Sequence, residues 1–233
     1  MKAHIVCGAM GIWMAASGAV LAESQQGVLV ELYTSQGCSS CPPADDLLGQ
    51  LVEMPGVIGL ALHVDYWDYI GWKDTFGQEK FSARQRGYAH AAGDKMIYTP
   101  QMIIDGGARM VGNDPQPVVQ AIKSAAAVPQ TITLTLAREA GQLHIDGKTQ
   151  QPLPAGTTVQ LVHYLETRNV EIERGENAGL TMDYRNVVTS WQSLGEWTGL
   201  QPLQMVADAG EGPVVVLIQA AGPRAVLAAA QLK

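Results

Sequence analysis

Two apolar runs, VLVELYT over Val28–Thr34 and VIGLALHV over Val57–Val64, enclose a stretch in which Ala44, Leu47, Leu48, Leu51 and Val52 recur at three- and four-residue steps. Short apolar runs rich in β-branched residues read as buried strands, and the three-and-four spacing reads as one face of a helix. Pro55-Gly56 stops that helix, since proline lacks an amide donor and glycine permits the reversal. Strands joined through a helix run parallel, because only a crossover returns the chain in the same direction. The segment therefore predicts a βαβ unit.

Between the first strand and the helix lies Gly37-Cys38-Ser39-Ser40-Cys41-Pro42-Pro43. Two cysteines three apart in the first turn of a helix bring their Cα atoms within the roughly 7 Å that a disulfide needs. Prolines suit that first turn, where the backbone donors have no helical partner. A helix starting near Cys38 would stabilise a thiolate there, making Cys38 the nucleophile and Cys41 the more buried resolving thiol. Half a zinc site has the same spacing, and an inert staple is a further alternative. A structural zinc site needs two more Cys or His ligands, and closing so small a loop constrains an unfolded chain little, so the redox couple is the favoured reading.

The compartment bears on the same question. The opening MKAHIVCGAMGIWMAASGAVLAES joins Lys2 to an apolar span and ends on small residues at Val20-Leu21-Ala22, which reads as a secretory signal over Met1–Ala22. An uncleaved membrane anchor is the alternative, since the span approaches the ~17 residues needed to cross a bilayer. Cleavage removes Cys7 and leaves Cys38 and Cys41 as every remaining thiol of the 3 in the chain. The protein is expected to be periplasmic or secreted, where unprotected thiols oxidise, and to have no membrane segment once cleaved. A net charge of −7, with no basic run or basic-aromatic stripe, argues against nucleic acid as a partner.

Downstream, helices are expected from about Gln78 to Ala92 and from about Pro115 to Ala127. Asp105-Gly106-Gly107 is predicted to be a hairpin turn leading into Ala108–Val111. After Pro129 the texture changes to alternating strands, among them TITLTLA, GQLHIDG, TTVQLVHYLE, LQMVAD and PVVVLIQAA, and suggests a β-sandwich. The domain boundary is placed near Val128–Gln130, dividing the chain into a signal over 1–22, an α/β domain over 23–128 and an all-β domain over 129–233. The polar, glycine-punctuated stretch NVEIERGENAGLTMDYRNVV reads as a surface loop.

The order strand, Cys-x-x-Cys, helix, strand, helix, X-Pro, hairpin, helix over about Val28–Ala127 resembles the thioredoxin fold. This resemblance implies an α/β thioredoxin-like domain with a helical insertion over about Tyr66–Ala92. It also implies a cis-proline at Pro100, with Thr99-Pro100 holding an extended substrate beside the disulfide. Three features depart from the pattern: Gly37 stands where many members carry Trp, the intervening dipeptide is Ser-Ser, and the spacing to Pro100 is long. More closely, VELYTSQGCSSCPPAD, HVDYWDYIGWKD, YTPQMIIDG and RGENAG resemble a family of exported bacterial thioredoxin-like proteins catalogued as a domain of unknown function.

Glu31 lies in the first strand near where some thioredoxin-like proteins carry a buried carboxylate that accepts the resolving thiol's proton; a solvent-facing strand carboxylate is the alternative. Trp67 and Trp72 could line a peptide groove, but more simply they form the core of the insertion. His63, Asp65, His90, Met96 and Met102 are the candidates for a third copper or zinc ligand, and for each a packing role is the simpler reading. Arg174, Glu176, Asn177 and Asn186 could cap the redox site or form a turn-rich surface. The sequence thus predicts an exported thiol–disulfide oxidoreductase acting on protein or peptide thiols, using Cys38 and Cys41 with no organic cofactor and no metal, together with a redox partner it does not specify. A periplasmic metallochaperone and a binding module with a permanent disulfide are the alternatives.

Overall fold

The computed structural model describes residues 24–233, so the signal reading over Met1–Ala22 and Cys7 lie outside the described residues. Twelve strands follow in chain order: β1 (Gln25–Gln26), β2 (Val28–Thr34), β3 (Val57–His63), β4 (Gln101–Ile104), β5 (Ala108–Val111), β6 (Ile132–Glu139), β7 (Gln142–Thr149), β8 (Thr158–Glu171), β9 (Thr181–Glu196), β10 (Leu203–Asp208), β11 (Val214–Gln219) and β12 (Val226–Leu232). The α-helices are α1 (Pro42–Leu51), α2 (Glu79–Ala92) and α3 (Pro115–Ala126). None of these helices is long and apolar enough to cross a membrane.

The local expectations hold. β2 and β3 pair in parallel with Val28 opposite Val57, and α1 connects them. Pro42 and Pro43 occupy the first helical positions and Cys41 is the N-cap, so α1 starts at Pro42 and not near Cys38 as expected. β4 and β5 form the hairpin around Asp105-Gly106-Gly107. Gly106, at φ +67°, is required there: a Cβ would run into the Arg224 carbonyl.

The expected fold class, a thioredoxin-like α/β domain followed by an all-β sandwich, is overturned. Strands make up 42% of the described residues and helices 19%. Nine strands form one mixed, curled sheet in the order β1-β12-β11-β8-β9-β3-β2-β4-β5, so strands from both sides of residues 128–130 share it. The junction is β9 against β3, with Val187 opposite Ala61. One apolar core draws on both halves: Leu29, Tyr33, Leu60 and Ile103 pack with Val162, Val188, Val215 and Leu217 under α2. On the opposite sheet face, α1 and α3 cover β2, β3 and β4. Beside them the three-stranded sheet β10-β7-β6 covers β8, β11 and β12. Every residue of β11 is buried, which requires a cover on both faces and draws the β-rich half into a common structure with the helices.

The expected surface loop over Asn169–Val188 is also corrected. Most of it is the long β8–β9 hairpin, and only the tip, from Ile172 to Leu180, leaves the ladder. Polar side chains alternate outward along these strands, so the segment has a loop's composition without being one.

Candidate functional site

Cys38 and Cys41 are joined by a disulfide, with Cα atoms 5.4 Å apart. The bend that presents them at the carboxyl end of β2 is a chain of short backbone bonds: Cys38 N–H to the Ser35 carbonyl, Cys41 N–H to that of Cys38, and Ala44 and Asp45 N–H to that of Cys41. Both sulfurs are enclosed, Cys38 being 2% and Cys41 0% exposed.

The enclosure comes partly from the tip of the β8–β9 hairpin. Asn177, itself buried, donates from Nδ2 to the carbonyls of Gln36 (2.9 Å) and Cys38 (3.0 Å). Gly175 lies against Trp72, where an added Cβ would come to 3.1 Å from the Trp72 Cβ. Trp72 in turn donates to Gln36 Oε1 at 2.8 Å. Asn177 therefore caps the cysteine loop through 139 residues of sequence separation. Asn186 acts elsewhere, donating to the Gly59 carbonyl on β3, and Arg174 and Glu176 form no ion pair among the described residues.

Thr99-Pro100 is a cis peptide. Thr99 Oγ1 accepts from Trp67 Nε1 at 2.7 Å, and the Cβ and carbonyl of Trp67 flank Gly37, so one residue links the two segments. Tyr69 stacks near Trp67 and is 80% exposed, while Trp72 packs against Ile172 and Tyr184.

On the α1 face of the sheet, at the carboxyl ends of β2 and β3, lies a group of ionisable side chains of which the sequence had singled out His63 alone. Asp45 is one helical turn beyond Cys41, on the same side of α1. Its Oδ2 accepts from Thr34 Oγ1 at 3.0 Å, and its Oδ1 is buried with no partner. Burial pushes the Asp45 carboxyl up to about 7, against the opposing pull of His63 and the Thr34 bond. His63 is fully buried, with Nδ1 2.7 Å from Asp74 Oδ2 and Nε2 unpartnered. Burial acts to lower the His63 pKa, but the charge of Asp74 and the bond to it, with Asp45, outweigh that and raise it. Asp74, despite its own burial, is held below the usual carboxylate range by His63 and by the amides of Gln36 and Phe76. Phe76 and Tyr184 pack edge-on against the imidazole.

Glu31 points to the other face, among different partners. Its oxygens accept from Arg84 Nε (2.7 Å), Arg84 Nη2 (3.0 Å), Tyr33 (3.0 Å) and Tyr88 (2.6 Å), and neither cysteine is bonded to it. The solvent-facing alternative does not hold either, as Glu31 is 0% exposed. Among the described residues no three His, Cys, Asp or Glu side chains are grouped to hold a metal ion. Met102 is core, Met96 is 80% exposed, and His63 is committed to Asp74.

Asp45 was within reach of the sequence: it falls on the buried stripe of α1 between Ala44 and Leu48, where a carboxylate is out of place. Asp74 and Arg84 carry no such local signal.

Fold and site together define a β-rich protein in which a βαβ unit carries a closed Cys-x-x-Cys disulfide under a hairpin cap. The chain belongs to the family described as "Protein of unknown function (DUF1223)", whose model matches residues 29–219. The crystal structure of a protein from Agrobacterium tumefaciens is similar at 29% identity and a TM-score of 0.76, covering 88% of this chain and 93% of that one. HBP35 of Porphyromonas gingivalis shares the fold at 13% identity and a TM-score of 0.59, over 89% of this chain and 74% of its own. No curated protein matches the chain significantly.

Proposed function

We propose that this protein is an exported thiol–disulfide oxidoreductase acting on protein or peptide thiols. The observation that carries the reading is the closed Cys38–Cys41 pair one helical turn from Asp45, a buried carboxyl near half-protonation at neutral pH. In the oxidising direction a substrate thiolate attacks Cys38 Sγ. A new S–S bond forms to Cys38 as the Cys38–Cys41 bond breaks, and its electron pair leaves on Cys41. A thiolate at a fully buried Cys41 is costly, so a proton passes to it from Asp45, whose resulting carboxylate is stabilised by His63 and the Thr34 hydroxyl. A second substrate thiol then displaces Cys38, and the reverse sequence reduces a substrate disulfide. Thr99-Pro100, tied through Trp67 to the cysteine loop, holds the substrate chain. Asp45 takes the role that the sequence had suggested for Glu31.

The burial of Cys38 favours a second reading, a binding module in which the disulfide only shapes the loop. The two separate on the redox equilibrium of residues 23–233 in glutathione buffers, read by thiol alkylation and intact mass. A midpoint between about −270 and −120 mV marks an exchanging couple, whereas a pair still closed below about −300 mV is structural and sinks the oxidoreductase reading.

A further inference from the structure

A cavity of about 490 Å³ opens between α2 and the sheet face formed by β8, β9 and β11, away from the disulfide. Its volume falls within the usual range for small-molecule sites. Its walls are built rather than incidental. The Arg84 guanidinium lies 3.8 Å from the centre of the Trp191 ring, fixed from behind by Glu31 and Gln219. Trp191 Nε1 donates to Gln160 Oε1 at 2.6 Å, and Gln160 Nε2 reaches Gln219 Oε1 at 3.2 Å. These groups satisfy one another, so the wall is rigid before any ligand arrives. The turn at Pro223 closes one end and is packed so tightly against α2 that a Cβ on Gly87 would collide with it.

The charge lining the cavity is one-sided. Lys80 and Arg84 line it, and no Asp or Glu does. Arg84 is already paired with Glu31, but Lys80 makes no ion pair among the described residues. Lys80 lies over Phe81 at 5.1 Å and is partly desolvated, which lowers its pKa. An anion at the mouth would meet an unneutralised ammonium, while the Phe81, Trp191 and Pro223 surfaces would take an apolar body.

We infer that this cavity binds a small organic anion, a carboxylate or similar group carried on an apolar body, with Lys80 holding the charge and Trp191 the body. This site is independent of the redox reading and stands or falls separately. The test uses the oxidised protein and three probes of one shape: 4-phenylbutyrate, 4-phenylbutan-1-ol and 4-phenylbutylamine. Binding is read from the Trp191 indole N–H resonance, assigned with Trp191→Phe. The carboxylate is expected to bind about three- to fivefold tighter than the alcohol, the size of one partly exposed ion pair, and the amine weakest. Lys80→Met, at an exposed position that leaves the fold intact, should bring the carboxylate to the level of the alcohol without changing the alcohol. An alcohol that equals the carboxylate in the unaltered protein overturns the assignment. So does a Trp191 resonance that none of the probes moves up to about 10 mM, beyond the millimolar affinity of even a weak site.

Discussion

On one face of the β2–β3 pair, Glu31 is surrounded by Arg84, Tyr33 and Tyr88, each bonded to it; on the other, Asp45 and His63 each leave one buried atom with no partner. The two groups are separated by a single layer of sheet, and Glu31, Asp45 and His63 are all buried. The first is a closed ionic network: Arg84 donates two N–H groups to Glu31, and that contact raises Arg84 further above its ordinary value, its own desolvation notwithstanding. The second is under-satisfied, and its carboxyl titrates near neutrality instead. A saturated buried pair holds structure, whereas an unsaturated one next to a disulfide has spare capacity to move a proton.

The largest expected effect breaks the saturated side. Arg84→Met strands Glu31 among two tyrosine hydroxyls and should cost about 3–5 kcal/mol in urea unfolding, the usual penalty for removing one partner of a buried pair. A loss below ~1 kcal/mol would mean the network is not what holds α2 to the sheet.

Asp45 sharpens the contrast through pH. Its folded pKa of about 7 lies above the ordinary 3.8, so the folded state binds the extra proton between those values. Its contribution is fully present below about pH 4 and is lost as pH rises through about 7, at up to ~1.4 kcal/mol per pH unit for one proton. The raised His63 adds a fall of the same sign. Conformational stability should therefore decline from pH 5 to pH 8, and Asp45→Asn should flatten the decline by about one proton's slope while leaving part from His63. An unchanged slope in that variant removes Asp45 from the account.

A smaller effect is expected at the cap. Asn177→Ala deletes two hydrogen bonds to the cysteine loop, each worth roughly 1 kcal/mol, so opening should become about 5- to 30-fold more frequent. The rate of disulfide reduction by dithiothreitol reads this directly; an equal rate in both proteins would show that the hairpin tip does not gate access. Least of all should follow from Glu53→Gln at the exposed Arg185 pair, below ~1 kcal/mol, although that contact also joins the two halves of the chain.

Legibility followed range along the chain. The strands β2 and β3, the helix between them and the Asp105-Gly106-Gly107 hairpin were readable because each is specified within a few residues. β9 was not, because its polar alternation and bulges match a loop's composition, and its burial depends on α1 and β3. Glu31 and Asp45 were effectively exchanged: both are buried carboxylates, and only the position of Arg84, 53 residues from Glu31, decides which is neutralised by an ion pair. Asn177 was one of several polar candidates until the hairpin placed it over Cys38.

By itself the sequence determined the βαβ unit and a spacing that lets Cys38 and Cys41 close a disulfide, since these rest on helix period, strand run and three-residue separation. Only the tertiary structure decided that one sheet runs through both halves, that the disulfide lies closed beneath Asn177, and which buried carboxylate keeps a free oxygen. The first set depends on contacts within one or two turns of chain. The second depends on which distant strands pair, and an apolar strand specifies that it must be covered without specifying by what.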